Sequence, residues 1–188
     1  MDLAFAVSGE GLPRDHALAL FEALGREAPE LAAHAGLAVL GIRGASAGGP
    51  GWVLGHRSRL LLRLPETLVE SALALCGRSL EVGSGKLRLG AAKTRALVPH
   101  PTLYAQRVAA DRDDEASFAA QVASALGALG VRPDFVVGRR SAVQGPAGEI
   151  AGYSLMVTEL PARQSLALQT TGLGAYRQLG FGIFVGHK

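Results

Sequence analysis

Hydrophobic and polar positions change period several times along the chain, and each change marks an element. Asp2 to Ser8 alternates apolar with small or polar residues and predicts a strand, closed by a Gly9-Glu10-Gly11 turn. From about Pro13 to about His34 the spacing becomes helical. Ala17, Leu18, Leu20, Phe21, Leu24 and Leu31 form an apolar stripe, and Gly25 and Pro29 predict a bend or a break. Leu37 to Ile42 reads as a strand, and Gly44 to Gly55 as a glycine-rich loop around Trp52. Arg57 to Leu64 alternates again, with Arg57, Arg59 and Arg63 on one face and Leu60, Leu62 and Leu64 on the other. Pro65 opens a helix reaching about Cys76. A hairpin then joins Leu80 to Val82 with Lys86 to Leu89 across Gly83-Ser84-Gly85.

The first half thus reads strand, helix, strand, strand, helix, strand, and the second half repeats that order. Thr94 to Val98 and Leu103 to Ala109 are extended and separated by Pro99-His100-Pro101. Asp111 to Glu115 supplies an acidic start for a helix over Ala116 to Leu129. Phe135 to Gln144 and Glu149 to Thr158 form a hairpin across Gly145-Pro146-Ala147-Gly148. A helix from Pro161 to about Thr171 and a last strand, Gly182 to Val185, complete the set. The order βαββαβ is that of the ferredoxin-like fold. The expected class is therefore α+β, with two tandem ferredoxin-like folds side by side, residues 1–92 and 93–188.

Composition narrows the function. With 188 residues and 48% hydrophobic content the chain can bury a proper core. The single cysteine, Cys76, has no internal disulfide partner, and no Cys/His cluster has zinc spacing, so no metal and no cofactor are expected. No basic leader precedes a long apolar run, and the expected location is cytoplasmic. The formal charge is +3 with a pI near 9.4, and its distribution matters more than its size. Arg78, Lys86, Arg88, Lys93 and Arg95 lie in one stretch with a single acid, Glu81, and Arg139 and Arg140 follow one another on a predicted strand. Both clusters suit a nucleic-acid face. Walker, HExxH, GxSxG and CxxC motifs are all absent.

Two local features can carry chemistry. His16 sits in the first turn of the first helix, where an imidazole near neutrality can take a proton from one oxygen and give one to another, as metal-free RNA cleavage through the 2′-hydroxyl requires. His34 reads as a helix-end residue, His56 borders the loop beside Arg57, His100 lies between two prolines, and His187 is in the tail. The second feature is Gly172-x-Gly174-x5-Gly180-x-Gly182, two glycine pairs that bracket Tyr176 and Arg177. Glycine turns let phosphate oxygens approach backbone N–H groups, and an arginine adds a planar charged fork.

The element order, a histidine early in the first helix, and this GxGxxxxxGxG signature resemble the CRISPR repeat-processing endoribonucleases, the Cas-six family. Leu12-Pro13-Arg14-Asp15-His16 is most similar to the MYXAN-type branch, and Val98-Pro99-His100-Pro101-Thr102-Leu103-Tyr104 to a segment of the subtype I-F branch. The resemblance covers the whole chain. It implies cleavage of a precursor transcript once per repeat, without a metal ion, leaving a 2′,3′-cyclic phosphate. It also implies that the product stays bound in a Cascade-type surveillance complex with backbone subunits. The implied partners are the repeat RNA, often a stem-loop, and the mature guide RNA. His16 falls on the catalytic position, with a helper expected from Tyr176, His34 or Arg57. Expected RNA contacts are Arg57, Arg139, Arg140, Gly172, Gly174, Tyr176, Arg177, Gly180 and Gly182. Two alternatives stay open: a non-cleaving RNA-binding subunit on the same basic face, and a tandem ferredoxin-like scaffold whose glycines serve packing.

Overall fold

The computed structural model describes residues 1–42, 44–45, 51–130 and 134–187. Residues 46–50 of the loop expected over Gly44 to Gly55 lie outside the described residues. The chain divides into two compact units, Met1–Ala96 and Leu97–Lys188.

The first unit contains, in order, β1 (Asp2–Glu10), β2 (Leu12–Pro13), α1 (Ala17–Glu27), α2 (Pro29–Ala33), β3 (Ala38–Ile42), β4 (Gly51–Trp52), β5 (Arg59–Arg63), α3 (Val69–Leu73), β6 (Ser79–Val82) and β7 (Gly85–Arg95). The main sheet runs β3-β5-β1-β7-β6, every pair antiparallel, and β2 and β4 make a short ladder of their own. With β6 set aside as a hairpin arm, this is the second-third-first-fourth order of a βαββαβ unit. Leu3, Phe5 and Val7 of β1, Leu60 and Leu62 of β5, and Leu87 and Leu89 of β7 are buried together with Leu20 and Leu24 of α1 and Leu31 of α2. Period-two alternation on the strands and period-3.6 spacing on the helix build one core.

Three expectations are modified here. The helix expected from Pro13 to His34 starts at Ala17 and breaks at Ala28, whose φ of −147° and ψ of 71° leave the helical region. Proline has no N–H and clashes with the preceding turn, so Pro29 starts a new helix at its first position. Strand β7 runs without a break from Gly85 to Arg95, with a register shift against β1 between Phe5 and Val7. The strand expected to open the second half at Thr94 is therefore the end of β7, and the expected 92/93 boundary falls inside that strand. Arg63, read as sharing a strand face with Arg57 and Arg59, is only 3% exposed, whereas those two are exposed. Its Nε and Nη2 donate to the two carboxylate oxygens of Asp2, its cross-strand neighbour, at 2.6 and 2.9 Å. A buried guanidinium needs such a partner.

The second unit contains β8 (Leu103–Ala109), α4 (Glu115–Ala128), β9 (Phe135–Gly145), β10 (Gly148–Val157), α5 (Ala162–Thr171) and β11 (Phe184–Gly186). Its sheet order, β11-β8-β10-β9, is the ferredoxin-like fourth-first-third-second without additions. Leu103, Val108, Phe118, Val122, Leu155, Leu168 and Phe184 fill its core, with the Phe118 and Tyr153 rings 4.8 Å apart. Asp114 caps α4 by accepting the Ser117 N–H at 2.7 Å. No helix among the described residues is long and apolar enough to cross a membrane.

Candidate nucleic-acid interface and active site

His16 precedes α1 and is 8% exposed. Its Nδ1 lies 2.9 Å from the Pro13 carbonyl oxygen, and its Nε2 accepts the Ile42 N–H at 3.2 Å. A carbonyl can only accept and an N–H can only donate, so this arrangement holds the neutral ring with its proton on Nδ1. The second contact has a clear local cause. Between Val39 and Ile42 the β3–β5 register shifts, and Gly41 takes a φ of +73°. Such a bulge removes the ladder partner of a neighbouring N–H, and the imidazole supplies a replacement. The one lone pair a general base would use is thus held by backbone.

His34 stands at the end of α2 and is exposed. Its Nδ1 accepts the Gly36 N–H at 2.9 Å, which places the proton of the neutral ring on Nε2. Gly36 fixes this ring closely: a Cβ there would lie 3.1 Å from His34 Cε1 and 2.8 Å from Pro65 Cγ. Arg57 is exposed in the turn that Gly55 and Ser58 close through a 2.9 Å backbone bond. His56 shares that turn, and its carbonyl accepts Arg59 Nη1 at 2.7 Å. Of the other histidines, His100 packs its ring against Gly186 of β11 and His187 lies 5.7 Å from the Tyr104 ring. Both are engaged within the second unit.

The glycine-rich stretch joins α5 to β11. Its two pairs lie against each other: the Leu173 N–H donates to the Gly182 carbonyl at 3.1 Å, and the Gly182 N–H to the Arg107 carbonyl at 2.7 Å. A Cβ at Gly182 would sit 2.0 Å from the Leu173 oxygen, and one at Gly172 2.4 Å from the Gly182 oxygen. These glycines permit backbone to touch backbone, closing a loop whose tip is Ala175 to Leu179. Among the described residues, the N–H groups of Gly174, Ala175 and Tyr176 donate to no backbone carbonyl. Successive free N–H groups in a turn form an anion-binding concavity. Arg177 turns inward, Nη2 donating to the Thr170 carbonyl at 3.0 Å, whereas Tyr176 is 40% exposed.

The arginine pair on β9 separates in the same way. Arg140 Nε donates to Asp113 at 2.6 Å, and Glu149 approaches at 3.9 Å. The hydrogen bond to Asp113 raises the Arg140 pKa and lowers that of the aspartate. Arg139 is exposed. In the first unit Lys86 sits across from Glu10 on β1 and Glu81 on β6, while Arg88 sits across from Ser8 and Ser79. Arg78 meets Glu27 at 3.4 Å.

A family model described as Cas6, Cas6 Crispr, matches residues 1–188. The chain belongs to the Cas6 family. It is 38% identical over 186 residues to the CRISPR-associated endonuclease Cas6 of Myxococcus xanthus strain DK1622, covering 98% of this chain and 80% of that protein. A solved CRISPR-associated Cas6 protein superposes with a TM-score of 0.71 at 12% identity, covering 100% and 99% of the two chains. A RAMP protein described as binding different RNA substrates gives 0.66 at 12% identity, covering 98% of each. At these identities the solved structures show the shared fold, the tandem ferredoxin-like arrangement of Cas6 proteins.

Within this Cas6 chain, the first unit carries His16, His34 and Arg57, and the second carries Arg139, Arg140 and the glycine loop. Two groups escaped the sequence reading. One is the acid pair flanking Lys86, since only strand register brings Glu10 near it. The other is Arg107, whose guanidinium carbon stands 5.8 Å over the Phe181 ring while its carbonyl holds Gly182. Gly41 inside a predicted strand was the available signal for the bulge that engages His16.

Proposed function

We propose that this Cas6 protein is a CRISPR precursor-RNA processing endoribonuclease that cuts within repeats. The observation that carries the reading is 38% identity across nearly the whole chain to a relative named as a CRISPR-associated endonuclease. In the proposed reaction the 2′-hydroxyl gives its proton to a solvent base and attacks the adjacent phosphorus. The P–O5′ bond breaks, and the 5′-oxygen takes a proton. The products are a 2′,3′-cyclic phosphate and a 5′-hydroxyl, with no water and no metal ion in the balance. Charge builds on the phosphoryl oxygens in the transition state, where fixed cations and N–H donors stabilise it most.

We assign the proton-donating role to His34 and a supporting role to His16. His34 is exposed, and as an imidazolium, formed when Nδ1 takes a proton and releases the Gly36 N–H, it can donate from Nε2, whereas both nitrogens of His16 are bound to backbone. Arg57, Arg88 and Arg139 are proposed to bind phosphates, along with the free N–H groups of the glycine loop. Arg140 is proposed to serve Asp113 first. After cleavage the guide RNA is proposed to stay bound, with this subunit joining the backbone subunits of a surveillance complex.

The test is cleavage of the repeat RNA in EDTA, comparing wild type, His34→Ala and His16→Gln. Retained cutting by His16→Gln with none by His34→Ala supports the assignment. A second reading, a non-cleaving RNA-binding subunit, is favoured by the occupied ring of His16. Wild type that binds the repeat and never cuts it would establish that reading.

A further inference from the structure

We infer that Tyr176 is a stacking platform for one unpaired base of the bound RNA, with that nucleotide's phosphate on the adjoining loop N–H groups. The inference rests on the RNA-processing reading and adds to it a single-nucleotide subsite.

The first observation is conformational. Tyr176 holds φ 62° and ψ 35°, the left-handed region, beside glycines at φ 76° and 88° that enter it freely. A bulky residue in that region is an outlier that persists only where its surroundings impose it. Here the surroundings do: the Tyr176 carbonyl accepts the Leu179 N–H at 2.9 Å and the Phe181 N–H at 3.2 Å.

The second observation is what this backbone presents. The Tyr176 ring meets Phe181 edge-on, centroids 6.2 Å apart at 64°. Phe181 is fully buried and braced on its own face by Arg107. Tyr176 is therefore an exposed aromatic held by a rigid neighbour. Arg177 points toward Thr170, so of the two side chains expected to meet RNA at the loop tip, Tyr176 and Arg177, the exposed one is the aromatic.

The third is the unused donors. The N–H groups of Gly174, Ala175 and Tyr176 belong to Tyr176 itself and the two residues before it, and donate to no backbone carbonyl among the described residues. An aromatic face next to backbone donors suits a nucleotide that is out of its helix, because its base needs a stacking surface and its phosphate needs donors. Every base has a π-face, so the subsite tolerates any base and requires only that one be present.

The experiment measures the affinity of uncleavable repeat RNA, with the scissile 2′-hydroxyl replaced by hydrogen, for wild type, Tyr176→Phe, Tyr176→Leu and Tyr176→Gly. Glycine removes the ring and suits the left-handed backbone, so it separates loss of stacking from loss of fold. A parallel set of RNAs carries one abasic site at each unpaired position. The expected result is about tenfold weaker binding for the Leu and Gly variants and near-wild-type binding for Phe. One abasic RNA should lose the same factor on wild type and nothing further on Tyr176→Leu, the signature of a shared contact. Wild-type affinity in the Leu and Gly variants, or losses that multiply at every abasic position, overturns the subsite alone. Failure of wild type to bind the repeat overturns the RNA reading and the subsite with it.

Discussion

Replacing His16 with alanine removes the hydrogen-bond partners of the Pro13 carbonyl and the Ile42 N–H together. Ile42 is 3% exposed, so its N–H loses its partner where water reaches it poorly. A buried donor left unpaired costs about 1–3 kcal/mol, and the less buried Pro13 carbonyl adds roughly 1 kcal/mol. The sum is about 2–4 kcal/mol. For a chain of this size each kcal/mol lowers the melting temperature by about 2–4 °C, which predicts a fall of about 5–15 °C. Trp52 is the only tryptophan and lies in the same unit, so its fluorescence reports the unfolding that matters. His16→Gln can return an acceptor to the Ile42 N–H and should recover about half of the loss. Cleavage is then assayed well below both melting points. If His16→Ala melts with wild type and yet abolishes cutting, the histidine acts on RNA and the bulge-filling role is refuted.

Two further perturbations probe the second unit. Gly182→Ala drives a methyl group into the Leu173 carbonyl at a φ of +64°, whereas Gly174→Ala meets nothing closer than 3.8 Å. Denaturant midpoints should show Gly174→Ala losing only the left-handed penalty of about 1–2 kcal/mol and Gly182→Ala distinctly more; equal losses would contradict the loop closure. Asp114 has its pKa lowered, first by the Ser117 backbone hydrogen bond, and Asp113 has its lowered by Arg140. Both folded-state values lie below that of the unfolded chain. Their contribution is therefore complete above roughly pH 4 and lost as pH falls through the depressed values. Asp114→Asn keeps the cap without titrating, so it should lose less stability than wild type between pH 6 and pH 3, and an identical loss would contradict the assignment.

Element order was legible because alternation and helical spacing report directly which face is buried. Pro29 announced the break between α1 and α2 for the same local reason. The length of β7 was hidden by Gly90, Ala91 and Ala92, which carry no apolar alternation across the register shift with β1. Arg63 could not be placed because its partner, Asp2, is 61 residues away in sequence and adjacent only in the sheet. His16 shows the same limit at the site. An Asp-His pair opening a helix reads as chemistry, and nothing in its spacing shows that strand β3 brings the Ile42 N–H to the Nε2 of that histidine. The glycine loop was recognisable as a unit, yet spacing alone could not show that its glycines contact one another and that Arg177 turns inward.

Cleavage of a CRISPR repeat RNA, in EDTA, with and without the scissile 2′-hydroxyl, tests the central claim most directly. The account predicts one cut per repeat, a 2′,3′-cyclic phosphate end, and no cutting by His34→Ala or of the deoxy-substituted RNA while binding persists in both. Cutting that continues on the deoxy-substituted RNA, or that stops in EDTA, would contradict it.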